Sequence, residues 1–124
     1  MAEHGEFHWN ELLSTDVEAA RSFFGDTIGW TYDPVDMGSM TYWVAMQGNR
    51  PVAGIMPVPS NMPEGTPSHW MNYIAVDDVD ARIAKAKTAG AAVMSEPFDV
   101  PDVGRIAILQ DPTGGMIGWI TPAE

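Results

Sequence analysis

The feature that most constrains the fold of this chain is an internal repeat. Offsetting the 124-residue sequence by 62 residues, half its length, aligns the segment from Leu12 to Ala19 with the segment from Ile74 to Ala81. In each segment, apolar residues typical of a strand lead into acidic residues that suit the start of a helix. Two strand–helix segments at one fixed offset favour a chain built from two copies of the same supersecondary unit.

Each copy predicts one amphipathic helix. Thr15 and Glu18 have the spacing of a capping box, and Asp77 or Asp78 suits the N-cap of the second helix. Gly29 and Gly90 are typical helix stops. The positions expected to be buried are Val17, Ala20, Phe24 and Ile28 in the first helix and Val79, Ile83 and Ala86 in the second.

Strand-like segments follow each helix. They lie near 30–35, 40–46 and 52–57 in the first half and near 91–94, 104–109 and 116–120 in the second, with turn residues between them. The sequence therefore predicts an α+β fold of paired βαβββ modules and excludes a Rossmann sheet. Module 1 is expected at about 5–57, a proline-rich linker at 58–67 and module 2 at about 68–122, within a single domain 1–124.

Charge and composition exclude several classes of partner. Six basic against seventeen acidic residues give a net charge of −11, which repels nucleic acid and anionic membranes. The same field is either a solubilising surface or an attraction for a cationic small molecule. The absence of cysteine excludes disulfide and thiol chemistry. With no long apolar run and no basic N-terminal leader, a cytoplasmic location is expected.

Three motifs carry a family resemblance. They are Glu11–Ala20 followed by Phe23 and Phe24, then Tyr73–Ala81, then the Gln110–Gly114 turn. In this order the motifs resemble the vicinal-oxygen-chelate superfamily of glyoxalases, bleomycin-resistance proteins and extradiol dioxygenases. The resemblance implies that the two modules form curved mixed sheets around a ligand cavity. It also implies a homodimer.

The resemblance also locates the metal-ligand positions of the metal-dependent members. They fall on Trp9 and Met71 on the first strands, on Gly118 on the last strand, and on Ile55 or Met56 as the counterpart of Gly118. A hard divalent cation needs imidazole or carboxylate ligands, which these residues do not supply. We therefore expect no metal ion and no cofactor at this site, and no glyoxalase I or extradiol dioxygenase activity.

The candidate site combines aromatic, sulfur and carboxylate side chains. Strand alternation and the repeat direct Trp9, Glu11, Met71 and Tyr73 toward the cavity, and Trp43 and Arg105 are further candidate ligand-binding residues. A partly desolvated Glu11 suits either proton transfer or pairing with a cation. The alternative is a structural carboxylate satisfied by a donor such as Tyr73 or Arg105.

These residues, together with the family resemblance, leave three functions open. The first is metal-independent binding of a small molecule, cationic or aromatic, in an apolar pocket. The second is a glyoxalase-like lyase, isomerase or hydroxylase that uses Glu11 as its acid or base. The third is a subunit whose tryptophan and methionine surface is an interface.

Overall fold

The computed structural model describes residues 3–60 and 62–123 of the chain. These residues form two compact units, the first unit being Trp9–Met71 and the second unit the residues up to His8 together with those from Asn72 onward. The elements in chain order are β1 (Phe7–Ser14), α1 (Val17–Ile28), β2 (Thr31–Asp36), β3 (Thr41–Gln47), β4 (Arg50–Pro57), β5 (His69–Ala75), α2 (Val79–Thr88), β6 (Ala92–Val100), β7 (Gly104–Gln110) and β8 (Met116–Pro122).

The sheet of the first unit has the strand order β2-β3-β4-β1. β1 and β4 are parallel, whereas β2, β3 and β4 pair antiparallel, with a register shift between Ala45 and Met46. Trp43 and Leu12 both align with Ile55, so these residues share one face of the sheet. That face is covered by α1, and Ala45 and Ile55 on it are fully buried.

The second unit repeats this topology with the order β5-β8-β7-β6. β5 and β8 are parallel, and the remaining pairs are antiparallel. Helix α2 packs its apolar side on the sheet to form a core. The buried members of that core are Val76, Val79, Ile83, Ala86, Ala107 and Leu109. The α+β fold class and the two βαβββ modules predicted from the repeat are therefore confirmed.

The helices differ in how well they are buried. The three residues expected to be buried in α2 are buried, but none of the residues of α1, all of which the structure describes, is fully buried. The prediction for Ile28 was wrong, because this side chain is 53% exposed. Helix α1 packs chiefly on one strand, β4, whereas α2 packs across three, so the apolar side of α1 is less completely covered than that of α2.

The helix starts also differ from one detail of the sequence interpretation. Asp16, rather than Thr15, is the N-cap of α1, and its carboxylate accepts from the Ala19 amide at 3.0 Å. The Thr15 amide instead donates to Ser68. Asp78 caps α2 in the same way as Asp16 caps α1. In the described part of the chain, no helix combines the length and the apolar composition that crossing a membrane requires.

Candidate functional site

The predicted site residues are divided between the two units. Trp9, Glu11, Trp43 and Met71 belong to the first unit, and Tyr73 and Arg105 belong to the second. Within the first unit, a tyrosine that was not predicted from the sequence connects Trp9 with Glu11.

That tyrosine is Tyr42 on β3, and it completes a chain of hydrogen bonds. The indole Nε1–H of Trp9 donates to the Tyr42 hydroxyl at 2.8 Å, and the hydroxyl donates to Oε1 of Glu11 at 2.9 Å. Glu11 is 9% exposed, so its carboxylate is largely removed from water. Burial and the neighbouring carboxylate of Glu11 raise the pKa of Tyr42, so this hydroxyl stays protonated and remains a donor.

Glycine on the intervening strand makes this contact possible. Glu11 on β1 aligns with Gly54 on β4, and Gly54 aligns with Val44 on β3. The ring of Tyr42 lies over Gly54, where a Cβ atom would come within 1.7 Å of the Tyr42 hydroxyl. The side chain of Tyr42 therefore crosses β4 to reach β1, which only a residue without a side chain at 54 permits.

These residues lie on the face of the first unit's sheet opposite α1, which we call the Glu11 face. By register and alternation it carries Trp9, Glu11, Leu13, Tyr42, Val44, Gly54 and Met56. Apart from the carboxylate, the hydroxyl and the indole N–H, these side chains on β1, β3 and β4 are hydrocarbon, aromatic or thioether. The edge strand β2 adds Thr31, Asp33 and Val35 to the same face, all of them exposed. On its three inner strands, the Glu11 face therefore presents one buried carboxylate among apolar and aromatic side chains.

Trp43 and Met71 occupy different surroundings in the same unit. Trp43 lies on the face covered by α1, where the guanidinium carbon of Arg21 stands 3.7 Å from the centre of its ring. Met71 is buried, with 4% of its surface exposed. Trp43 is therefore engaged in a cation–π contact on the opposite side of the sheet from Glu11.

In the second unit, Tyr73 repeats the contact of a tyrosine with a glycine. Tyr73 aligns with Gly118 on β8, and a Cβ atom at Gly118 would lie 2.3 Å from its ring. Arg105 is on the side covered by α2, where its guanidinium donates to Asp80 at 2.7 Å and to Asp99 at 3.2 Å. The structure therefore gives Arg105 two carboxylate partners within its own unit.

The strand register corrects one of the metal positions inferred from the resemblance. Tyr73 aligns with Gly118, and Glu11, which precedes Tyr73 by 62 residues, aligns with Gly54. The counterpart of Gly118 is therefore Gly54, and the expectation of Ile55 or Met56 was wrong because the repeat drifts by two residues there.

The donor set at these positions does not fit a divalent cation. Trp9, Met71, Gly54 and Gly118 provide an indole, a thioether and two bare backbones, where imidazole or carboxylate groups are required. Within residues 3–60 and 62–123, no three histidine, aspartate or glutamate side chains are grouped as a metal site requires.

The contribution of Tyr42 was missed from the sequence, although one signal for it was present. Gly54 interrupts the otherwise apolar run of β4, and an isolated glycine inside a strand often marks the close approach of another group. The sequence did not identify that group, because Tyr42 lies on a different strand and its neighbour Trp43 was the more conspicuous aromatic residue.

Comparisons with known proteins agree on one family. The family model of the Glyoxalase/Bleomycin resistance protein/Dioxygenase superfamily matches residues 6–118. A protein of Mycobacterium bovis named "Putative glyoxylase CFP32" is 43% identical over 116 residues, which is 92% of this chain and 44% of that protein. The anthracycline biosynthesis protein DnrV of Streptomyces peucetius is 35% identical over 118 residues, covering 86% of this chain and 43% of that protein. The region aligned with this chain thus makes up less than half the length of each of these relatives.

Solved structures of low identity share the fold. A hypothetical protein from Bacillus halodurans superposes with a TM-score of 0.72 at 15% identity, over 98% of this chain and 97% of that one. Methylmalonyl-CoA epimerase from Mycobacterium tuberculosis superposes with a TM-score of 0.66 at 16% identity, over 100% and 93%. At these identities the likeness concerns the fold and not the reaction. The extent of the family match and the identity to its curated relatives establish that this chain is a member of the Glyoxalase/Bleomycin resistance protein/Dioxygenase superfamily.

Proposed function

We propose that this chain binds a cationic, aromatic small molecule on the Glu11 face, without a divalent metal ion at the positions that metal-dependent members use. The observation that carries the proposal is the carboxylate of Glu11, a residue that is 9% exposed and lies among apolar and aromatic side chains of β1, β3 and β4. Burying a carboxylate costs several kcal/mol unless hydrogen bonds or a cation compensate. The hydrogen bond from Tyr42 holds this carboxylate, and a cation beside it adds an attraction that a neutral ligand of the same shape does not provide.

The aromatic side chains near Glu11 indicate that the cationic ligand is also aromatic. Tyr42 donates to the Glu11 carboxylate and Trp9 donates to Tyr42, and aromatic rings of this kind suit flat or cationic groups. The net charge of −11 favours the approach of cations to the whole protein. DnrV is by its name a protein of anthracycline biosynthesis, so anthracyclines are natural early candidates for ligand screens.

A second candidate is an enzyme in which Glu11 moves a proton. A carboxylate enclosed by apolar groups has the environment in which general bases and acids are tuned, and Tyr42 holds it in place. The name of the mycobacterial relative, a glyoxylase, also indicates an enzyme. In this case Glu11→Gln abolishes turnover but leaves the binding of neutral ligands intact.

Calorimetric titration of two isosteric probes tests the binding function. N-methylquinolinium is a flat cation, and 1-methylnaphthalene is a neutral molecule of nearly the same shape. We expect the cation to bind at least about tenfold tighter, because opposite charges about 4 Å apart attract by about 4 kcal/mol at an effective dielectric constant of about 20, desolvation offsets a part of this, and 1.4 kcal/mol is tenfold in Kd. Glu11→Gln is expected to remove this preference.

The matched control is Glu18→Gln, which makes the same change of charge at an exposed position of α1. It is expected to preserve the preference for the cation, with a small loss of affinity that disappears at high salt. Equal affinities for the two probes in the unmodified chain would refute the proposal, as would a preference that survives Glu11→Gln.

The expected homodimer and cytoplasmic location remain predictions. Sedimentation equilibrium tests the first of them.

A further inference from the structure

The contact between Tyr42 and Gly54 has a consequence for how Glu11 is held. Adjacent strands lie about 4.8 Å apart, so the β3 and β1 backbones are separated by about 9.6 Å across β4. The Tyr42 hydroxyl nevertheless reaches Oε1 of Glu11 at 2.9 Å, because its ring lies flat on the backbone of Gly54. The ring cannot move down toward the sheet, and Trp9 holds its hydroxyl from the side at 2.8 Å.

The direction of the hydrogen bonds fixes the role of the hydroxyl. Since Trp9 Nε1 has a hydrogen and no acceptor site, it must donate to Tyr42, and the hydroxyl proton is then directed at Glu11. A donor facing a carboxylate stabilises the ionised form over the carboxylic acid. Donation from Trp9 also polarises the hydroxyl, which strengthens its hydrogen bond to Glu11.

We propose that Tyr42, seated on Gly54, is the positioning residue that holds Glu11 ionised and in a fixed orientation, and so determines the preference of the site for cationic over neutral ligands. The ligand class in this statement rests on the proposed function, whereas the effect on Glu11 does not. Gly54 is required for this arrangement, because any larger side chain there displaces the Tyr42 ring.

Gly54 also corresponds to a metal-ligand position of the metal-dependent family members. Gly54 is the counterpart of Gly118, the last-strand position at which the resemblance places a metal ligand in metal-dependent members. A carboxylate side chain at position 54 and the Tyr42 ring would occupy the same space, since even a Cβ atom falls within 2.1 Å of Cζ. In this chain the tyrosine therefore occupies the space that a ligand side chain on β4 requires.

The test is an NMR titration of Glu11 in protein labelled with ¹³C at the glutamate carboxyl carbons, the Glu11 signal being assigned by its loss in Glu11→Gln. Tyr42→Phe removes the hydroxyl and keeps the ring on Gly54. We expect the ionisation midpoint of Glu11 to rise by about one pH unit relative to the unmodified chain, since one charge-stabilising hydrogen bond is lost. At a pH one unit below the midpoint of the unmodified chain, the affinity for N-methylquinolinium should then fall about tenfold, because the ionised fraction of Glu11 falls by that factor, with the affinity for 1-methylnaphthalene unchanged.

Tyr32→Phe is the matched control. The Tyr32 hydroxyl is also buried, but it has no hydrogen-bond partner among the described residues, and Tyr32 lies on a different strand, β2. Its removal is expected to leave the Glu11 midpoint and the cation preference unchanged. Trp9→Phe is a second test variant in case Tyr42→Phe does not fold. It removes the indole donor, and it should raise the midpoint by a smaller amount.

The outcomes separate the two proposals. An unchanged Glu11 midpoint in folded Tyr42→Phe and Trp9→Phe overturns the positioning role. A raised midpoint, in a protein that shows no preference between the two probes even before substitution, supports the positioning role and refutes the proposed ligand class. A raised midpoint together with the loss of the cation preference supports both.

Discussion

The substitution Gly54→Ala is the sharpest test of the packing that places Tyr42. The backbone of Gly54 does not adopt a left-handed conformation, so alanine is compatible with it and any cost comes from steric overlap. A Cβ atom would lie 1.7 Å from the Tyr42 hydroxyl and 2.1 Å from Cζ, whereas ordinary contacts begin near about 3.5 Å. The ring must therefore move by roughly 1.5 Å.

The magnitude follows from what that movement breaks. A shift of this size breaks the hydrogen bonds that Tyr42 makes at 2.8 Å and 2.9 Å. Two hydrogen bonds contribute about 2 kcal/mol, and the strain of overpacking adds at least about 1 kcal/mol. We expect Gly54→Ala to lower the free energy of unfolding by about 3 kcal/mol.

The assay is a double-mutant cycle in urea, followed by tryptophan fluorescence. In a Tyr42→Ala background the three atoms nearest to the new Cβ, all of which belong to the Tyr42 ring and hydroxyl, are absent. Gly54→Ala is then expected to stabilise by about 0.5 kcal/mol, because alanine has less freedom to lose than glycine. The effect of Gly54→Ala should thus change sign between the two backgrounds. Equal costs in both backgrounds, within about 0.5 kcal/mol, would show that overlap with the Tyr42 ring is not the cause of the destabilisation.

Two further predictions concern contacts outside the Glu11 face. Arg82 lowers the pKa of Asp77 to about 2, so the ion pair stabilises the fold above pH 4 and this contribution is lost as the pH falls from about 4 to about 2. Asp77→Asn and Arg82→Ala should each weaken the pH dependence of the urea unfolding midpoint across that window. A pH dependence equal to that of the unmodified chain in both variants would contradict the pairing. Arg21→Met keeps an apolar stem over Trp43 but removes the cation, and urea unfolding should show a loss of about 1 kcal/mol. Stability equal to that of the unmodified chain would show that the stacking contributes nothing.

Much of the fold was predictable because the repeat constrains it twice. A strand–helix boundary assigned near Asp16 in the first half is repeated near Asp78 in the second, and both aspartates are N-caps in the structure. The exposure of Ile28 was not predictable in the same way. Apolar periodicity shows which side of a helix faces the sheet, but not how many strands lie beneath it.

The candidate site was predictable only in part. The repeat and strand alternation identified Glu11 and Trp9, which the structure connects. The connecting residue, Tyr42, depends on the register of three strands and on a shift between Ala45 and Met46. Alternation within one strand carries no information on such a register, so contacts that cross an intervening strand are not accessible from the sequence alone.

We propose that ligand binding by this chain depends on the Glu11 carboxylate and not on a metal ion. The most direct measurement is elemental analysis of the purified protein, together with the Kd of N-methylquinolinium before and after exhaustive dialysis against EDTA. We predict metal far below one equivalent per chain and an unchanged Kd. One equivalent of a divalent metal, or binding that is lost on chelation and recovered when the metal is returned, would contradict the account.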